Sequence, residues 1–160
     1  ASMLRTQLKK LPEQIARRME NAAYLDEKLA KLDFVEPLKQ DEKIIRNSYH
    51  LYLLTLKEEK LQGVSRDVFL KALGAEGIPI TAGYMPVYTF PCVDGNYAEK
   101  CTGNRINVAP DCPVTERKAR NEGCWMVHQN LLGDHSDMDD IVNGLLKVYN
   151  NLDELKGGVQ

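Results

Sequence analysis

The residues best equipped for chemistry lie in "AEGIPITAGYMPVYTFP", positions 75–91, where Tyr84 and Tyr88 stand among Pro79, Pro86 and Pro91. Fixed proline torsions hold such a loop in one shape at small entropic cost. Each tyrosine adds an apolar ring face and a hydroxyl that donates or accepts. A wall of a binding site has this composition, and so does a plain connecting loop. His128 is the next candidate. It ends the apolar run "CWMVH" and opens "HQNLLGDH", so it either faces a cleft or only closes a strand. His50, inside an apolar run, reads as a hydrogen-bonded structural group, and His135, between Asp134 and Ser136, as a solvated helix start. Cys92, Cys101, Cys112 and Cys124 include no C-x-x-C pair, and no histidine stands at ligand spacing from them, which argues against a metal centre. No nucleophile elbow, H-E-x-x-H or phosphate-cradling glycine loop occurs. The neighbouring Asp139 and Asp140 open a helix, where the macrodipole accounts for them.

Long helices and a few short strands must position these residues. Leu4, Leu8, Leu11, Ile15, Met19, Ala22, Leu29 and Leu32 form one helical stripe, with a kink or a fresh start expected at Pro12. "FVEPL" (34–38) reads as an edge strand because of Pro37. "NSYHLYLLTL" (47–56) reads as a central strand, apolar on both faces. Ser65 caps the next helix, Val64 and Phe69 staple it, and Gly74 or Gly77 ends it before a strand at "IPIT". Residues 92–111 show no period. Pro113 suits a first helical position, "CWMVH" is a strand, and Ser136 with Asp139 caps a final helix running to Leu155. The tail from Lys156 reads as frayed. The expected fold is α/β, a two-layer sandwich in which a small mixed or antiparallel sheet packs against long helices.

With 160 residues, 43% of them apolar and 28% charged, the chain has enough material for one domain with a real core. A net charge of -2 supplies no electrostatic reason to expect nucleic acid or an anionic membrane. No apolar run approaches the roughly 20 residues that span a bilayer, and no signal peptide is visible, so the expected location is cytoplasmic.

Five stretches, "QLKKLPEQIARRMENAAYLDEKL", "SYHLYLLTL", "RDVFLKALGAEGIPITAGYMPVYTFP", "CPVTER" and "CWMVHQNLLGDHSDMDDIVNGLLKVYNNLDEL", fall in the order and near the spacing of the C-terminal part of the DegT/StrS-type aminotransferases. Over nearly its whole length the chain resembles that family, and more its cyclitol and aminoglycoside branch than its nucleotide-sugar branch. The resemblance implies the small C-terminal domain of a pyridoxal-phosphate (PLP) enzyme of fold type I. Residues 1–32 would be a linking helix continuing from a large N-terminal PLP domain, 33–155 the small domain and 156–160 a flexible tail. The PLP lysine, the aspartate on the pyridinium nitrogen and the phosphate contacts belong to the large domain in that family. No catalytic or cofactor-binding residue is therefore assigned to this chain, and the chain alone is expected to be inactive. The loop from Gly83 to Pro91 would face the cleft between domains, with Tyr84 and Tyr88 binding substrate and His128 joining them if its strand end faces the same cleft. The implied parent is a homodimer that moves an amino group from glutamate or glutamine to a keto-sugar or keto-cyclitol. Two other readings stay open: a free-standing binding or interaction domain without catalysis, and a small enzyme using His128 with the 92–111 loop.

Overall fold

A computed structural model describes residues 2–90, 95–104 and 111–156 of the chain. The apolar stripe of the first segment forms one helix, α1 (Ser2–Leu29), which runs unbroken through Pro12 instead of restarting there. Every residue from 2 to 13 is exposed, so the carbonyl that loses its donor to the proline ring can turn to water. Burial begins at Ile15 and continues through Ala22, Leu25 and Leu29.

Four strands follow in the order β1-β2-β4-β3, every pair antiparallel. β1 (Val35–Pro37) sits at an edge, where a missing proline donor breaks no ladder. β2 (Leu51–Leu56) lies inside the sheet between β1 and β4 (Gly123–Val127). It begins at Leu51 and not at Asn47, because Tyr49 turns the backbone to φ +46°. β3 (Thr81–Ala82) is only the end of the expected "IPIT" strand and pairs with Trp125 and Cys124.

The helices cover one face of this sheet. α2 (Arg66–Ala75), α5 (His135–Asn150) and α6 (Leu152–Lys156) join the C-terminal half of α1 there. Phe34, Phe69, Leu73, Met138 and Leu145 fill the core beneath Tyr52, Leu54, Leu56, Cys124 and Met126 of the sheet. The other face is open: Leu53 is 40% and Val127 42% exposed. Central placement of β2 therefore holds, whereas burial of both its faces does not. The result is a two-layer α/β sandwich with one uncovered sheet surface.

Local signals explain most boundaries. Ser65 accepts from the Val68 N–H at 3.4 Å, and Val64 and Phe69 are both buried. Gly77, at φ +82°, ends α2: its N–H bonds to the Gly74 carbonyl at 3.1 Å, and that of Ile78 to Leu73 at 2.9 Å. That pair of bonds is a Schellman closure, which favours glycine. The cap of α5 lies two residues before the expected one. Asp134 accepts from Ser136 and Asp137, and the Asp137 carboxylate accepts from the Asp134 N–H, so Ser136 and Asp139 are not the capping pair. The final helix also breaks at Asn151, giving α6 as a separate turn. Within the stretch expected to lack structure, Gly95–Thr102 forms α3. Pro91 of the tyrosine loop, residues 92–94 and 105–110 of the stretch without period, and residues 157–160 of the expected tail lie outside the described residues. No helix among the described residues is long and apolar enough to cross a membrane.

Candidate functional site

Edge strand β3 delivers the tyrosine loop to the open face of the sheet. Beyond it the ladder continues by one bond, Gly83 N–H to the Gly123 carbonyl at 3.1 Å. Tyr84 then leans over Trp125, ring centroids 4.3 Å apart and planes at 59°, while staying 72% exposed. Pro86 is buried, and its carbonyl accepts from the Thr89 N–H at 2.9 Å and the Thr89 hydroxyl at 2.7 Å. The loop tightens there into a single 3₁₀ turn, Val87–Thr89.

That turn aims Tyr88 at α4 (Pro113–Arg117), which Pro113 starts at its first position. The Tyr88 hydroxyl donates to Glu116 Oε1 at 2.6 Å, and Arg120 Nε holds the other carboxylate oxygen. The bond to Glu116 pushes the Tyr88 phenol up to about 12, since the phenolate would face a carboxylate. In return the Tyr88 hydroxyl, and after it Arg120, hold the Glu116 carboxyl below its ordinary value.

After α4 the chain widens into a π turn, Lys118–Glu122, a form frequent at functional sites. Two buried charges hold it. Arg66, 6% exposed, donates to the Ala119 carbonyl at 2.7 Å and the Gly123 carbonyl at 3.0 Å. Glu122, 7% exposed, pairs with Lys118 at 2.6 Å and Arg117 at 3.0 Å. Between this turn and the sheet lies a cavity of about 490 Å³ whose lining includes Leu53, Tyr84, Val114, Lys118, Gly123 and Trp125. Its floor is apolar and its rim carries a phenol and an ammonium group, a composition suited to holding an organic molecule or an apolar segment.

Tyr84 and Tyr88 thus come together around α4, one lining the cavity and the other anchored beside it. His128 does not join them. It follows β4 at the far end from Gly123, opens the 3₁₀ turn His128–Leu131, and does not line that cavity. Its backbone N–H donates to the His50 backbone carbonyl at 3.2 Å, and the two rings stack with centroids 6.0 Å apart. Partial burial, then the positive fields of Arg18 and His50, hold the His128 imidazole below its ordinary value. His50 is exposed and precedes β2 instead of lying inside it. His135 stacks on Tyr24 at 4.1 Å, so the expected helix start is partly covered. Cys101, Cys112 and Cys124 are free thiols, and burial pushes the Cys124 thiol up to about 12.

Trp125, Arg66 and Glu116 carry much of this geometry, although sequence reasoning assigns none of them to the site. A lone tryptophan alternating with core residues on a strand was the available signal for the first.

This fold has known counterparts. A family model described as the DegT/DnrJ/EryC1/StrS aminotransferase family matches residues 1–145. The chain belongs to that family. Among curated members, the L-glutamine:2-deoxy-scyllo-inosose aminotransferase of Streptomyces paromomycinus is 34% identical over 156 residues, covering 92% of this chain and 36% of that protein. The crystal structure of 3-amino-5-hydroxybenzoic acid synthase superposes with a TM-score of 0.73 at 23% identity, covering 93% of this chain and 38% of that one. A Streptococcus pneumoniae protein solved in its PLP form superposes with a TM-score of 0.65 at 21% identity, over 92% of this chain and 34% of that one. At such identities the structural likeness establishes the fold. Across its curated relatives the chain spans between 36% and 40% of their length.

Proposed function

We propose that this chain acts as the small C-terminal domain of a PLP-dependent aminotransferase that moves an amino group from glutamine or glutamate to a keto-cyclitol or keto-sugar. The observation that carries the reading is the family match over 1–145, joined to curated relatives named as glutamine:inosose aminotransferases. In this reading residues 1–32 link to the remainder of a family-length protein, 33–155 form the domain, and two such proteins pair as a homodimer.

The described residues do not fit as the holder of PLP. Lys10, Lys118 and Lys147, which line cavities, are all exposed, and the last two are paired with Glu122 and Glu76. An imine-forming lysine needs a desolvated, unpaired amine. PLP, which supplies the electron sink for amino transfer, is assigned to the rest of the protein. This chain's contribution is then binding and shape. Tyr84 presents an exposed ring and hydroxyl, Tyr88 is locked to Glu116, and the floor of Leu53 and Trp125 gives the apolar face a ring substrate requires. His128 serves the substrate from the other end of β4.

The test is to express the whole protein encoded by the gene that carries this sequence and supply it with PLP. Amino transfer from L-glutamine is then followed to 2-deoxy-scyllo-inosose and, in parallel, to a nucleotide-linked keto-sugar. Turnover of the cyclitol ketone is the expected result. A protein that binds PLP but aminates neither ketone would overturn the reading.

A further inference from the structure

The tyrosine loop is fastened at both ends to one frame, residues 113–123, which hold α4, the π turn and the first residue of β4. At its start the Gly83 N–H reaches the Gly123 carbonyl at 3.1 Å, and Arg66 donates to that same oxygen at 3.0 Å. Near its end the Tyr88 hydroxyl reaches Glu116 Oε1 at 2.6 Å. The frame has supports of its own. Arg66 also holds the Ala119 carbonyl, Glu122 pairs with Lys118 and Arg117, and Asn121 donates to Glu58 at 3.0 Å. Position therefore passes from the frame to the loop.

Between those fastenings the two tyrosines are used differently. A phenol has one proton to donate. Tyr88 gives its proton to a carboxylate whose second oxygen is taken by Arg120, one helical turn along. Such a bond to an ionised acceptor is about twice as strong as a neutral one. Neither Tyr88 nor Glu116 lines the cavity over Leu53 and Trp125. Tyr84 does line it, leaning on the Trp125 ring with most of its surface open.

We propose that Glu116 is a positioning residue and Tyr88 its strut: together they hold the loop in the shape that sets Tyr84 over the cavity, and Tyr84 alone of the two tyrosines meets the ligand. A wall fixed beforehand loses little freedom when a ligand arrives. A wall that samples several shapes binds more weakly, by the fraction of time it spends in the right one. Glu116 thus acts on affinity, through Tyr88 and the loop. The proposal rests on the function proposed above only for the identity of the ligand, a cyclitol or sugar ketone, while the clamp itself follows from the bonds at the two ends.

The first arm of the test uses the 160-residue chain and needs no ligand. The ring protons of Tyr84, shifted by the neighbouring Trp125 ring, are followed by NMR in Tyr88→Phe, Glu116→Ala, the double variant and Glu116→Gln. Each of the first two should move Tyr84 toward the positions of an unstructured tyrosine. The double variant should go no further than either alone, since both remove one and the same bond. Glu116→Gln keeps an acceptor for the phenol and should restore most of the parent position, and Lys71→Gln, exposed on α2, should leave it unchanged. Tyr88→Phe deletes a single oxygen at a half-buried site, so it keeps the test decisive if Glu116→Ala unfolds. The second arm is kinetic, in a family-length protein. Tyr88→Phe and Glu116→Ala should each raise KM for the ketone roughly threefold to tenfold with kcat held, and the double variant should match them. The proposal is overturned by unmoved Tyr84 signals, by a double variant equal to the sum of the singles, or by a fall in kcat in Tyr88→Phe. The expected NMR pattern without turnover of either ketone would leave the clamp standing and remove the function instead.

Discussion

Replacing Gly123 by alanine would set a methyl group 2.7 Å from the Lys118 carbonyl oxygen, a backbone atom that closes the π turn beside the cavity. Backbone conformation is not the obstacle, since Gly123 sits at φ -73° and ψ 134°, which alanine adopts freely. The obstacle is contact, roughly 0.7 Å short of an ordinary approach. Overpacking of this kind costs about 1–3 kcal/mol. If the turn opens, the two Arg66 bonds to Ala119 and Gly123 are strained together, at about 1 kcal/mol each. A loss of about 2–3 kcal/mol is expected, or a fall in Tm of roughly 5–10 °C for a domain of this size. Gly83→Ala is the control, because its nearest neighbours would lie at 3.5, 3.6 and 3.7 Å, ordinary contact; it should stay within about 0.5 kcal/mol of the parent. Urea unfolding followed by the emission of Trp125, the one tryptophan in the chain and part of the cavity floor, reads both. Equal midpoints for the two variants would refute the steric reasoning and the rigidity assigned to the π turn.

Tyr52→Phe should cost about 1 kcal/mol at neutral pH, a charged-group hydrogen bond discounted for the half-exposed Asp26 partner. Burial already raises the Asp26 carboxyl and the Tyr52 hydroxyl draws it back down; without the hydroxyl it rises further. Stability from a raised carboxyl is complete below its unfolded value and lost as pH climbs through the folded one, so the gap between parent and variant should close in acid, as paired urea titrations across pH would reveal. Under the function proposed above, Tyr84→Ala and Tyr88→Ala in a family-length protein should lower kcat/KM for the ketone roughly fivefold to hundredfold while PLP stays bound, which the cofactor spectrum and separate half-reactions check. Met3, Leu4, Leu8 and Leu11 line the exposed half of α1, so the chain should self-associate in concentrated solution and Leu8→Glu should shift it to monomer in sedimentation velocity without changing its Tm.

Punctuation residues carried most of what was legible beforehand. Pro37 marked an edge strand, Ser65 a helix start and Pro113 another, because each acts through its own backbone and needs no distant partner. The sequence does not single out the α5 cap, because Asp134, Ser136, Asp137 and Asp139 are all capping types; Asp139 instead accepts from the Tyr24 hydroxyl and pairs with Lys28. β2 reads as buried on both sides because Leu51 and Leu53 are as apolar as Leu54 and Leu56. Pattern alone carries no information on whether a second layer exists to cover them. The tyrosine loop was legible by residue type. Its anchorage to Glu116, the floor of Trp125 and the separation of His128 were not, because each depends on which strands pair across the fold.

Half of α1 stands clear of the core, and that divides the helix into two regimes of amide exchange. Residues 2–13 span about 18 Å at 1.5 Å per residue and are exposed throughout, with one backbone bond missing at Pro12. A free helix of that length is marginal in water. Its amides should exchange by local fraying within the shortest labelling times, whereas those from Arg18 to Leu29 should wait for global unfolding. The step in protection near Ile15 is then a ruler. Whatever comes to lie against Leu4, Leu8 and Leu11, whether a second copy or the rest of a longer protein, will move that step toward Ser2 by the number of turns it covers.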